Sequence, residues 1–225
     1  MNAIMSRRRH VLSFTAVLSL GVLSSAGAQL PGVPVLQNAF ANPGLTIAVN
    51  YGQSDESKGY GGALAWSPAT ARFQLTGGFG AFKPDEGDRA WAWGARAAVP
   101  ITQTMMAGKL GFGAFAGVGG ASQDDVSLLH VPAGVSISWR TRLGERRGIS
   151  LYAAPFYSWT RVRFDDESES KGLLRASVGV DVAVVPSLGI TVGYEFGQNA
   201  DDDGPPGATG GIFGVGVSYA LRRGQ

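Results

Sequence analysis

From Leu45 onward, apolar residues fall on every second position for most of the chain. That period of two marks β-strands with one apolar face. The last run, Gly211–Leu221, carries it most clearly: Phe213, Val215, Val217, Tyr219 and Leu221 share one face, while Gly214, Gly216, Ser218 and Ala220 share the other. Leu45, Ile47, Val49 and Tyr51 alternate in the same way with Thr46, Ala48 and Asn50. Between these two runs the pattern returns in Tyr60–Trp66, Arg72–Phe79, Trp91–Val99, Lys109–Val118, Val131–Arg140, Ile149–Phe164, Leu174–Val184 and Leu188–Phe196. Ten strands are predicted, with a bulge near Pro155 where parity becomes hard to follow.

A face that is greasy and aromatic, opposite one that is tiny or polar, suits a strand with lipid outside and a crowded interior. The expected fold is all-β: a transmembrane antiparallel up-and-down β-barrel of ten strands, or eight if the weaker strands pair differently. An even count puts both termini in the periplasm, with short turns there and longer loops outside. The odd-numbered connectors should then be external: Gln53–Lys58, Lys83–Asp88, Ser122–Ser127, Asp165–Gly172 and Gln198–Gly210. The internal ones are Ser67–Ala69, Pro100–Gly108, Thr141–Gly148 and Pro186–Ser187. Of the 17 acidic residues, only Glu145, Asp181 and Glu195 lie outside the external set. A soluble sandwich has no reason to sort its acids to alternate turns. Tyr51, Tyr60, Phe79, Trp91, Tyr194 and Phe196 near one end, and Trp66, Trp139 and Tyr219 near the other, fit two interfacial girdles.

Composition agrees. Charged residues make up 16% where about 25% is usual for soluble domains, and the chain has no Cys, which excludes disulfides and Cys-based metal or redox sites. Residues 1–28 read as a cleaved signal peptide: Arg7-Arg8-Arg9, an apolar stretch from Val11 to Leu23, and Ala26-Gly27-Ala28 for cleavage. Residues 29–43, with Pro31, Pro34 and Pro43, form a periplasmic N-terminal segment, free or tucked against the barrel mouth. The barrel covers 44–221, and 222–225 form a short basic tail. Without the three signal-peptide arginines the excess of positive charge disappears, so the basic pI gives no reason to expect nucleic acid.

In its signal, its ten dyad-repeat strands, its short turns and its aromatic terminal strand, the chain resembles the small Gram-negative outer-membrane β-barrel proteins, OmpA/OmpX-like or porin-like, by architecture only. The resemblance covers roughly residues 44–221 and includes no catalytic or ligand motif. It implies a place in the cell outer membrane, with outer-membrane lipid and lipopolysaccharide as surroundings. Insertion would run through the barrel-assembly machinery reading the C-terminal strand, although Arg222-Arg223-Gly224-Gln225 follow where such chains often end on an aromatic. A monomer is expected, in a structural or surface-interaction role with acidic external loops.

Seven charged residues are assigned to the lumen by parity: Arg72, Arg96, Lys109, Arg140, Arg175, Asp181 and Glu195. They form either a salt-bridged plug or the lining of a narrow passive channel preferring anions. The plug is favoured because an interior of this size is nearly filled by side chains and unpaired buried charge is costly. Arg175 and Glu195 lie at matching heights on adjacent strands. The stretch Asn199–Gly204 resembles half a calcium loop, but Gly210 stands where its Glu belongs and Pro205-Pro206 break the geometry, so no metal is expected. His130 beside Asp124, Asp125, Ser122 and Ser127 is what a rim-sited hydrolase or acyltransferase would rest on. A lone His is not a constellation, and neither enzymatic activity nor a cofactor is expected.

Overall fold

The computed structural model describes residues 38–40, 43–54, 57–84, 88–105, 109–123, 126–144, 147–164, 167–198 and 211–221. The signal-peptide reading, the basic tail and the calcium-type stretch at 199–204 lie outside them. Ten strands follow in chain order: β1 (Gly44–Gln53), β2 (Ser57–Ser67), β3 (Gln74–Pro84), β4 (Ala90–Met105), β5 (Leu110–Gln123), β6 (Val126–Leu143), β7 (Arg147–Phe164), β8 (Glu167–Val185), β9 (Leu188–Gly197) and β10 (Ile212–Leu221). Each pairs antiparallel with its chain neighbours. β1 also pairs with β10, from Leu45↔Leu221 to Gln53↔Phe213, and closes the barrel. The ten-strand expectation holds and the eight-strand alternative falls. Below, the end where β1 starts and β10 stops is called the base, and the opposite end the crown.

Several connectors are shorter than the sequence suggests, three of them markedly. β8 begins at Glu167, so most of the expected loop Asp165–Gly172 is strand. β4 runs on to Met105 through irregularities after Pro100 and Thr102, and β6 and β7 extend to Leu143 and back to Arg147. The bulge expected near Pro155 is absent. β7 keeps one register with β8 through Pro155↔Ala176, and its burial alternates without a break. Proline lacks the N–H that a ladder needs, and the β6–β7 pairing is interrupted only between Gly134↔Phe156 and Ile137↔Ala153. Gly134 lets the two strands stay in line there, because a Cβ at Gly134 would strike the Pro155 carbonyl and Phe156.

The outer surface is apolar around the ring. Val49, Ile101 and Leu174 are each more than 60% exposed, alongside Leu64, Val135, Leu151, Val192 and Val217. A soluble monomer does not carry a contiguous apolar belt of that extent; on a closed barrel it is the surface that faces acyl chains. Aromatic pairs stand on it: Tyr51–Tyr60 stacked at 6.4 Å and Phe79–Trp91 at 5.5 Å towards the crown, Trp66–Phe73 edge-on at 5.5 Å towards the base.

Candidate functional site

The inward faces divide the lumen into three levels. In the crown half it is packed with apolar side chains. Phe82, Ala90, Ala92, Leu128 and Val162 form one cluster with Ala48 and Ala121, and none of these is more than 4% exposed. Leu173 and Ile212 are also buried, opposite Ser158 and Glu195 on the neighbouring strands.

Below lies a polar belt. Arg175, 2% exposed, donates from Nε to Glu195 Oε1 at 2.8 Å and from Nη1 to the Gln198 carbonyl at 2.7 Å. This arrangement depends on Gly197, whose φ of 142° and close approach to the Arg175 backbone leave no room for a Cβ. The Arg96 guanidinium lies 3.9 Å from the centre of the Phe115 ring, which packs in turn on Phe156. His130 shares hydrogen bonds with Ser158 at 2.7 Å and Thr160 at 3.0 Å. Ser158 and His130 have nucleophile and base chemistry and are buried, at 0% and 1% exposure.

The base is open. A cavity of about 820 Å³ is lined by the cations Lys109, Arg140 and Arg142, by Asp181, and by the hydroxyls of Thr191 and Ser218. Asp181 accepts from Thr191 Oγ1 at 2.5 Å and from Asn38 Nδ2 at 2.6 Å. The short stretch Asn38-Ala39-Phe40 therefore sits inside the mouth.

The seven charged residues assigned by parity separate accordingly. Arg96, Arg175 and Glu195 are buried in the belt, and Asp181 sits lower, half-buried in the vestibule. Lys109 and Arg140 line the vestibule and are exposed. Arg72 is not in the lumen: it lies exposed in the β2–β3 connection, after a tight turn in which the Ala71 N–H bonds the Pro68 carbonyl and Ala71 takes φ 48°. The turn breaks the alternation that seemed to run back from Gln74. His130, read as a rim residue, points inward from β6. Sequence reasoning missed the apolar crown filling and the Asn38–Phe40 contact. Phe82, Leu128 and Leu173 do keep inward parity, but beyond the strand ends that the alternation marked.

No family model matches the chain, and no curated protein matches it in sequence. Among solved structures it is similar to a KdgM porin in complex with disordered oligogalacturonate, at 9% identity and a TM-score of 0.43, over 79% of this chain and 99% of that one. It is similar to Ail, the attachment invasion locus protein of Yersinia pestis, at 13% identity and a TM-score of 0.34, over 80% of this chain and 100% of that one. It is similar also to the beta domain of the Bordetella autotransporter BrkA, at 12% identity and a TM-score of 0.49, over 79% of this chain and 98% of that one. These are distant likenesses between barrels and say nothing about what this one binds.

Proposed function

We propose that the chain is an integral outer-membrane β-barrel that does not conduct and serves a structural or surface-interaction role through its crown. One observation carries the reading: Phe82, Leu128, Val162 and their alanine neighbours cluster, buried, inside the barrel, and Arg175 and Glu195 form a buried ion pair there, which supports a vestibule closed at its inner end. With an even strand number the base faces the periplasm and the crown faces outward. The crown carries Asp88, Glu167 and Glu169 with exposed Arg161 and Arg163, a mixture that suits a lipopolysaccharide surface bridged by cations. The assembly machinery would read β10, and the barrel would work as a monomer.

Planar-bilayer recording with the purified protein tests this. No steady conductance is expected. Discrete anion-selective channels of defined size would overturn the reading and establish the narrow passive channel in its place.

A further inference from the structure

We propose that the inner wall of the vestibule is a peptide-recognition site, reading an Asn–small–aromatic sequence, and that its occupant is this chain's own Asn38-Ala39-Phe40. Each of the three residues meets a complementary feature. The Asn38 carboxamide donates both to Asp181 Oδ2 at 2.6 Å and to Ser150 Oγ at 2.7 Å, so an amide is read by an acid and a hydroxyl together. The Ala39 backbone N–H donates to Ser138 Oγ at 2.8 Å, and its methyl group lies over Gly113, where a Cβ would stand 3.6 Å away. Phe40 is covered by the Arg140 guanidinium at 4.0 Å and lies against Gly111, where a Cβ would come within 2.7 Å of the ring.

Gly111 and Gly113 are one inward step apart on β5, and they form the groove into which the segment fits. Larger side chains there would fill it. The remaining contacts come from β6, β7 and β8, so four strands contribute to one site. Ala39 is 5% exposed, which is core burial in a tripeptide outside any strand.

In the ring order β1-β10-β9-β8-β7-β6-β5-β4-β3-β2, β6 lies diametrically opposite β1. The segment that precedes β1 is thus held on the far wall of the barrel. Local chain geometry does not require that position; recognition accounts for it. The site holds whether or not the lumen conducts, so it stands or falls independently of the conductance measurement.

The chain has no Cys, which allows a clean test in the full-length protein in its membrane. An Ala39→Cys, Gly113→Cys pair would place its Cβ atoms 3.6 Å apart, within the range a disulfide needs. It should cross-link at least about tenfold faster than Ala39→Cys with Ser218→Cys on the opposite side of the vestibule, because a docked segment samples one wall only. Asn38→Asp, which sets a second carboxylate against Asp181, and Phe40→Ala should each slow the first pair while heat-modifiable mobility is kept. Equal rates for the two pairs, or indifference to both substitutions, would overturn the proposal. If a Cys at 113 prevents assembly, labelling of the single Ala39→Cys variant by a charged maleimide replaces it. Slow labelling that quickens about tenfold with Phe40→Ala supports docking; fast labelling that Phe40→Ala leaves unchanged refutes it.

Discussion

Arg175 holds the centre of the barrel through a contact with a measurable cost of loss. It is joined to Glu195 and to the Gln198 carbonyl in a setting closed to water. Removing one member of a buried ion pair costs about 3–5 kcal/mol, because the other is left charged and desolvated. Arg175→Met keeps the volume and should lower the urea midpoint in detergent micelles accordingly. The double variant Arg175→Met, Glu195→Gln should recover most of the loss, since the stranded carboxylate is gone. Additive losses would show that the two side chains act separately. This pair was legible in the sequence in part: parity turns both residues inward on adjacent strands, while the register sets them on a diagonal, Arg175 opposite Gly197 and Glu195 opposite Ser177, a step their long side chains span. Arg72 was misread for an equally physical reason. Parity assigns a face only while the backbone stays extended, and Ala71, at φ 48°, ends that condition one residue earlier. Asn38–Phe40 lay beyond reach altogether, since three residues carry no period and their hydrogen-bond partners on the barrel wall are 99 to 143 positions away.

Among the strands, β10 shows most directly how one sequence serves two environments. Val217 faces outward at 41% exposure, opposite Val49 on β1 and Ile190 on β9. Its neighbour Ser218 turns into the vestibule. Val217→Arg should destabilise the barrel by about 2–4 kcal/mol, as charge does near the bilayer midplane. Ser218→Arg faces open cavity and should cost far less. Unfolding midpoints of the two variants compared side by side would check this; equal costs would mean that the face assignment is wrong. The number of strands, their antiparallel order and the outward residues could all be read from period two. Strand length could not. The acids and glycines that signal a turn also occur where hairpins extend past the membrane into water, as in Glu167–Ser170, which is exposed at all four successive positions.

For the molecule as a whole, closure is the cooperative step. A sheet missing one strand leaves two open edges inside lipid, where unpaired N–H and C=O groups are intolerable. Deletion of residues 212–221 should therefore abolish membrane insertion and with it the heat-modifiable gel mobility of a folded barrel. Deletion of 222–225 should preserve both. Loss of the mobility shift on removing the tail alone would show that the terminal residues are needed for assembly itself.

The wall of this barrel is uneven in height. β7 and β8 have 18 and 19 residues, whereas β9, β10 and β1 have 10 each. At about 3.4 Å per residue the tall side extends roughly 60 Å along its strands and the low side little more than half of that. Fewer ladder pairs hold the low side together, eight between β9 and β10 and nine between β1 and β10 against 17 between β7 and β8, so the cylinder parts most readily along this flank under tension. Ten residues are still enough for a tilted strand to cross the hydrocarbon core, so the extra height of the other flank lies beyond the membrane. A barrel shaped in this way carries its own orientation within the membrane plane: a yielding flank at the seam, and a rigid flank opposite that stands into the medium.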